Sequence, residues 1–303
     1  MTTKIKFLKP DDDSFSSERD ALSVDDAVST FIFNPHHSLS LQTQRERLPI
    51  RQYRDRILYC LENYQTLVLV GETGSGKSTQ VPQYLYEFGW HTKGIIGVTE
   101  PRRVAAVSLS DRVATERGEL VGETVGVAIR FINKFSENTM IKFMTEGILL
   151  REMLADPLLS QYSVIMIDEA HERNNLTDTL MGLLKKIAKK RQSLKIIISS
   201  ATVDAELFKD FFNFNTKKAG KDTSVILSVE GRMYPYEIFY LQEPCPDYIQ
   251  GTIDTVMKIH QKEPPGDILA FLTGQEEVLR AVNALKDLLN EMGREDMQVL
   301  SIK

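Results

Sequence analysis

From residue 66 to residue 202 the chain switches repeatedly between two hydrophobic periods. Short solid runs of apolar and β-branched residues at 66–70, 94–99, 125–131, 141–145, 164–167 and 195–200 predict strands. Most are followed by stretches with apolar positions at helical spacing, at 77–88, 103–117, 147–155, 176–190 and 205–212. Such alternation predicts an α/β fold with a parallel sheet and helices on both faces. Runs such as SVIMI and KIIIS carry no polar alternation, the pattern of strands buried on both sides. Ahead of the first strand a helix is expected from Leu41, broken at Pro49 and resumed over 51–63, with Tyr53, Ile57, Leu58 and Leu61 on one face.

The pattern turns polar at AGKDTS, residues 219–224, where a lobe boundary is expected. Beyond it come two short strands within 225–241, a helix over 248–261, a buried strand DILAFLT at 267–273, a long amphipathic helix over 275–292 and the start of one more strand at 298–302. Residues 1–40 read as an irregular extension. Asp11, Asp12 and Asp13 favour solvent there, and Phe31, Ile32 and Phe33 could staple it to the core. The expected organisation is an extension (1–40), a first domain (41–223) and a partial second domain (224–303).

Composition adds bounds but no function. A length of 303 residues leaves room for about two domains. A net charge of −5 gives no pointer to nucleic acid, yet a local basic groove can sit on an acidic protein. Lys185, Lys186, Lys189, Lys190 and Arg191 read as a solvated helix face. Cys60 and Cys245 lack metal-ligand spacing and are expected to be free thiols of a reducing compartment. No apolar run approaches the roughly 18 residues of a membrane span, and the N-terminus MTTKIKFLKPDDD has no apolar signal core. A soluble chain of the cytosol or nucleus is expected, with no membrane partner.

The chemistry centres on GETGSGKST: Gly71, Glu72, Thr73, Gly74, Ser75, Gly76, Lys77, Ser78 and Thr79. It satisfies the phosphate-loop pattern, lying between a buried strand and a helix as that pattern requires. Its glycines let successive N–H groups curl round an anion, and the helix N-terminus adds a positive dipole end. Lys77 is expected to reach the β- and γ-phosphates of ATP, and the Ser78 hydroxyl to bind Mg²⁺. The competing reading is a glycine-rich helix cap. A second cluster, Asp168-Glu169-Ala170-His171, follows an apolar strand, so its carboxylates fall at a strand's C-terminal end, where open α/β sheets bind ligands. Asp168 is expected to hold Mg²⁺, with Glu169 beside the metal and acting on the attacking water; a solvated acidic turn is the alternative. A third cluster, Ser200-Ala201-Thr202, also ends a buried strand. Alone it would be a helix cap; beside the other two, Ser200 and Thr202 are candidate hydroxyls of a relay to the acidic turn.

Together GETGSGKST, TEPRRVAA (99–106), DEAHER (168–173), SAT and FLTGQEE (271–277) resemble the ordered motifs of the DEAH-box RNA helicases, and the resemblance runs from about Leu41 to Val299. It implies a RecA-like P-loop NTPase lobe followed by an incomplete second RecA-like lobe. It also implies ATP hydrolysis coupled to RNA binding, and a nuclear role in pre-mRNA splicing with spliceosomal partners, the cytoplasm being a second compartment. Thr99, Arg102, Arg103, Arg130, Thr145 and Gly147 match RNA-facing positions of the first lobe, and Gly274 and Gln275 those of the second. These contacts are expected to be to phosphates, with little sequence preference. Arg112 matches the arginine that stacks on adenine, although read alone it is an ordinary exposed helix residue. Departures are Glu100 for Gln, Glu146 for Asp and Asn174 for Thr, the first two expected to alter RNA contact at most. The family continues for several hundred residues, including its arginine-finger motif, so the resemblance implies a truncated, motor-impaired helicase core. The rival reading is an ATP-gated module that binds RNA or partners without turnover. A P-loop enzyme acting on a small molecule has little support.

Overall fold

The computed structural model describes residues 7–8, 39–201, 205–215, 222–231, 235–264, 266–291 and 297–301. In chain order the first elements are β1 (Phe7–Leu8), α1 (Leu41–Glu46), α2 (Arg54–Asn63), β2 (Thr66–Gly71), α3 (Lys77–Glu87), β3 (Ile95–Glu100), α4 (Arg103–Arg117), β4 (Val125–Ile129), β5 (Ile132–Lys134) and β6 (Ile141–Thr145). There follow α5 (Glu146–Ala155), β7 (Tyr162–Ile167), α6 (Asn175–Lys190), β8 (Lys195–Ser200), α7 (Ala205–Phe212), β9 (Ser224–Val229), β10 (Tyr240–Leu241), α8 (Tyr248–Lys262) and α9 (Gln275–Glu291). These fall into two compact units, residues 38–233 and residues 1–37 with 234–303.

The larger unit is organised by one eight-stranded sheet in the order β5-β4-β6-β3-β7-β8-β2-β9. Every neighbouring pair is parallel except β4–β5, an antiparallel hairpin at one edge. Val68, Val98, Phe143, Ile165 and Ile197 are wholly buried within it. Two apolar clusters flank the sheet, one including residues of α2, α3 and α4 and the other residues of α5, α6 and α7. This is the doubly covered parallel sheet that the solid apolar runs predict, and it matches the expected RecA-like lobe.

Local chemistry sets several boundaries. Asn174, where the resembled family has Thr, caps α6 by accepting the Thr177 N–H at 2.8 Å, so the departure preserves a capping side chain. Glu146 is buried at the start of α5 and accepts a hydrogen bond from the Thr177 hydroxyl. It ties α5 to α6. Arg191 also departs from the solvated face expected for its basic run. Its guanidinium donates to Leu159 O at 2.5 Å, Tyr162 O at 2.7 Å, and Leu158 O and Ser160 O at 3.3 Å. It thereby clamps the C-terminal end of α6 onto the loop entering β7.

The lobe boundary lies later than the polar stretch suggests. β9 follows AGKDTS yet pairs in parallel with β2 from Thr66–Ser224 to Gly71–Val229, and the division falls at residues 233 and 234. The expected division at 223 and 224 is therefore corrected: the edge of β2 is covered by a strand from beyond the polar turn.

In the smaller unit α8 and α9 pack through Ile253, Val256, Met257, Ala281, Leu285 and Leu289. β1 pairs antiparallel with β10. The expected strand DILAFLT is not one: residues 267–273 pair with nothing in a sheet, and Phe271 is 85% exposed. An extended run needs a neighbour for its backbone groups, and none stands beside it among the described residues. Residues 297–301 are likewise outside any strand. Phe31, Ile32 and Phe33, and most of the extension, lie outside the described residues.

Replacing Arg191 with Lys removes a planar fork that serves four carbonyls. The R191K chain is expected to lose about 2–3 kcal/mol of stability in the larger unit. Urea unfolding followed by the fluorescence of Trp90, the single tryptophan and buried in that unit, would measure it.

Candidate active site

The topology brings three chain segments to one edge of the sheet. β2, β8 and β7 are consecutive, so the loops after Gly71, Ser200 and Ile167 leave side by side at their C-terminal ends. β3 lies beside β7, and the Asp168 N–H donates to Thr99 O at 3.0 Å. Phosphate loop, acidic turn and Ser-Ala-Thr segment therefore converge as their positions at strand ends imply.

The phosphate loop is braced from within and from behind. Ser75 Oγ donates to Glu72 O at 2.7 Å. The Ile50 N–H, in the 3₁₀ turn Pro49–Tyr53, donates to Ser75 O at 3.1 Å. Gly76 has φ +97°, and a Cβ there would stand 3.0 Å from both Leu48 Cδ1 and Ile50 Cγ2, so conformation and space both call for glycine. The helix α3 opens immediately with Lys77. Lys77 is buried, and its Nζ donates to Gly71 O at 2.5 Å and to Glu72 O at 3.0 Å. Burial pulls its pKa down, while Asp168, Glu169 and Glu72 oppose that shift. Ser78 stands beside it on the wall of a cavity of about 670 Å³.

The acidic turn is conformationally unusual. Glu169 has φ 50° and ψ 36°, the left-handed region that costs a non-glycine residue energy. Its N–H donates to Asp168 Oδ1 at 2.9 Å, and its carboxylate lies 3.4 Å from His171 Nδ1. Burial and then the Asp168 charge push the Glu169 pKa up. His171 in turn accepts the Ala201 N–H at 3.3 Å. A link between the acidic turn and the Ser-Ala-Thr segment thus exists, and the recorded contact runs through the Ala201 main chain. Ser200 is wholly buried, and Thr202 lies outside the described residues.

Glu100 sits inside the site. It is 1% exposed at the end of β3 and faces Asp168. Taken as carboxylates, Glu100 Oε1 and Asp168 Oδ2 are both buried acceptors without a donor. A proton on Glu100 satisfies both. Burial, then the charge and hydrogen bond of Asp168, push the Glu100 pKa up to about 10. A protonated Glu100 would offer Asp168 one O–H donor, and Gln, the residue of the resembled family, carries an N–H donor of similar reach. The contact the structure gives Glu100 is with Asp168.

The same cavity extends from Lys77 and Glu169 to Arg112 on α4. Arg112 therefore lines the same cavity as Lys77 and Glu169. Its Nε–H donates to Glu116 Oε1 at 2.7 Å. Glu116 was not singled out in the sequence; the i,i+4 spacing from Arg112 on one helix was the available signal.

The RNA-facing candidates divide. Arg102, Arg103 and Arg130 are exposed. Arg102 pairs with Glu172 at 2.9 Å, and Arg103 donates to Arg130 O at 2.9 Å. Gly147 is exposed and Thr145 half-buried at the end of β6. Thr99 is wholly buried and donates to Met166 O at 3.4 Å, so its side chain serves the sheet and not the surface. Beside Arg130 stands Phe131, 85% exposed, with the guanidinium 4.8 Å from the ring centre, so an aromatic accompanies the cations. Gly274 and Gln275, in the smaller unit, are exposed at the start of α9.

The donor set fits a nucleotide with Mg²⁺. That ion is held by one or two carboxylates together with phosphate oxygens and water. Asp168 offers its carboxylate at the end of β7, and Ser78 a hydroxyl on the cavity wall. Among the described residues no group of three or more His, Cys, Asp or Glu forms a self-sufficient metal cage. Nor, among them, is any helix long and apolar enough to cross a membrane.

A phosphate loop on a parallel sheet, with an acidic strand end beside it, defines a P-loop nucleotide-binding fold. The chain matches the AAA domain family over residues 61–232 and belongs to that family. It is 54% identical over 301 residues to the probable ATP-dependent RNA helicase DHX35 of Homo sapiens, covering 97% of this chain and 43% of that protein. The DHX35 protein of Pongo abelii is also 54% identical over 301 residues, and the DHX35 homolog of Caenorhabditis elegans 55% over 261. These relatives bear out the resemblance to the ATP-dependent RNA helicases. The chain spans less than half the length of each of them.

The Glu100 carboxyl carries a pH signature. Between its ordinary value of 4.5 and about 10, the folded chain keeps a proton that the unfolded chain has released. Stability contributed by this group therefore falls as pH rises through that window, by up to about 1.4 kcal/mol per unit. E100Q should flatten the slope and stabilise the nucleotide-free chain at pH 8. Urea unfolding of both chains at pH 6 and pH 8.5 tests this; identical slopes would place the shared proton elsewhere.

Proposed function

We propose that the chain is the ATP-binding and hydrolysing core of a DEAH-box RNA helicase. The observation that carries this is the convergence of Lys77, Ser78, Glu169 and Arg112 on one cavity, with Asp168 buried next to Glu169 at the end of β7. In this reading the loop N–H groups and Lys77 hold the β- and γ-phosphates, and Arg112 faces the adenine. Asp168 and Ser78 would hold Mg²⁺, which would supply positive charge to the phosphate oxygens. Glu169 accepts a proton from the attacking water as its oxygen bonds to the γ-phosphorus. The bond from that phosphorus to the β–γ bridging oxygen breaks, and ADP leaves. The raised pKa of Glu169 suits a base that must gain a proton. His171 and Ala201 connect this turn to the end of β8, supporting a relay between nucleotide and RNA sites.

RNA is proposed to lie across the exposed Arg102, Arg103, Arg130 and Gly147 of the larger unit, with Thr145 beside them; Gly274 and Gln275 are proposed as RNA contacts of the smaller unit taken by itself. Its phosphates carry most of the affinity. The chain's setting is proposed to be pre-mRNA splicing in the nucleus among spliceosomal proteins. A second reading, an ATP-gated binding module without turnover, draws support from the smaller unit: two packed helices and a two-residue strand pair, with no second parallel sheet among the described residues. For the 303-residue chain we therefore propose ATP binding with hydrolysis near background, RNA present or absent. RNA-stimulated turnover at the 1–100 s⁻¹ scale of phosphoryl-transfer enzymes would remove the motor-impaired reading.

Two substitutions test the site. K77A is expected to abolish ATP binding at micromolar nucleotide, measured by calorimetry. E169Q should keep ATP affinity within a few-fold while lowering the residual hydrolysis of the wild-type chain. The wild-type rate should fall on the acid side at a pH above the ordinary carboxylate range, because protonated Glu169 cannot accept the water's proton. RNA affinity should fall steeply with salt and differ little among single-stranded sequences.

A further inference from the structure

We propose that Glu116 is a positioning residue that fixes Arg112 as a base platform and ties it to the helix carrying Lys77. This rests on the reading of the cavity as an ATP site and adds the residue that sets its base end.

The Glu116 side chain is 1% exposed, although it lines the cavity. Its two oxygens are divided between two helices. Oε1 accepts from Arg112 Nε at 2.7 Å. Oε2 accepts from Gln80 Nε2 and from Gln83 Nε2, each at 2.8 Å. Gln80 and Gln83 belong to α3, whose first residue is Lys77. Arg45 lies 3.6 Å from Oε2, and Glu87 takes its Nη2 at 3.0 Å. The buried charge is thus met by two cations and two amides, as a buried carboxylate requires.

An arginine side chain at 44% exposure is otherwise free to sample many rotamers, and ordering it on ligand binding costs affinity. A hydrogen bond through Nε lies in the guanidinium plane, so it restrains the group while leaving a planar face for stacking. Gln44 Oε1, accepting from Nη2 at 3.4 Å, restrains the other end. Because the same carboxylate holds Gln80 and Gln83, the platform is set relative to the helix that begins at the phosphate loop. Base and phosphate ends are thereby held to one spacing.

E116Q removes the charge at nearly constant volume. Gln83 Oε1 is buried without a partner, so a turn of that amide can meet the new N–H group, giving up its Nε2–H bond to Thr79 O. The experiment compares ATP with inorganic tripolyphosphate, which offers phosphates and no base, by calorimetry with the full 303-residue chain. E116Q should weaken ATP about tenfold and leave tripolyphosphate within about twofold. R112A should show the same selective loss, and adding E116Q to R112A should change the ratio no further, since one acts through the other. Equal weakening of both ligands by E116Q would make Glu116 a support of the phosphate loop and overturn the inference. So would an unchanged ratio in E116Q while R112A loses selectivity, which leaves the ATP reading intact. An unchanged ratio in R112A would instead overturn the placing of adenine, and the inference with it. Should E116Q fail to fold, the Arg112 Nε–H resonance of the wild-type chain, assigned by its loss in R112A, decides. Slow exchange with water is expected; rapid, averaged exchange overturns the restraint.

Discussion

A parallel sheet buried on both faces can present chemistry only where its strands end, and the larger unit follows from that constraint. The faces are closed by helices, so polar groups inside β2, β3, β7 and β8 have nowhere to meet solvent. At the C-terminal ends the strands release their loops together. There the order β3-β7-β8-β2 places Glu100, Asp168, Ser200 and the phosphate loop in a row. No one of these segments needs to reach far. The site is assembled by strand order, and each motif's position in the sequence matters only through the strand it follows.

Crowding carboxylates at that edge creates an electrostatic problem that the structure resolves in two ways. Lys77 is drawn between Asp168, Glu169 and Glu72, keeping a cation in a place where burial alone would disfavour it. Glu100 keeps its proton, so Asp168 gains a donor in place of a second negative neighbour. The outcome is a Glu100 carboxyl held in its protonated form beside Asp168, and one carboxylate, Glu169, raised toward the range of a useful base. A glutamine at position 100 would supply the same donor at no ionisation cost. That is a physical reason for a family to prefer it, and for Glu to be tolerated in this enclosure.

Much of this was legible in the sequence, because the informative signals were local. Solid apolar runs located β2, β3, β6, β7 and β8. The glycine spacing of the phosphate loop, and the carboxylates directly after a strand, named the main actors. What was not legible depended on contacts between distant segments. Thr99 reads as part of a surface motif, but its strand is central and its hydroxyl faces Met166 O. Glu146 reads as a variant of an RNA-facing residue, but α6 lies over it. Glu116 has no motif, and its importance comes from glutamines thirty-odd residues away on α3.

The two strand-like runs beyond residue 219 make the same point from opposite directions. Ser224–Val229 is only moderately apolar and follows a polar turn that looks like a boundary, yet it is a strand because the free edge of β2 accepts it over six residues. DILAFLT has the better strand composition, yet residues 267–273 pair with no neighbour among the described residues and expose Leu269 and Phe271. Composition sets how much an extended segment gains by being covered, but backbone pairing decides whether it is a strand at all. A free edge is supplied by the rest of the fold and leaves no trace in the segment's own residues. Domain limits drawn from local polarity therefore fail where a strand crosses the polar stretch to complete a sheet, and the functional edge of this unit, with β2 flanked on both sides, depends on such a crossing.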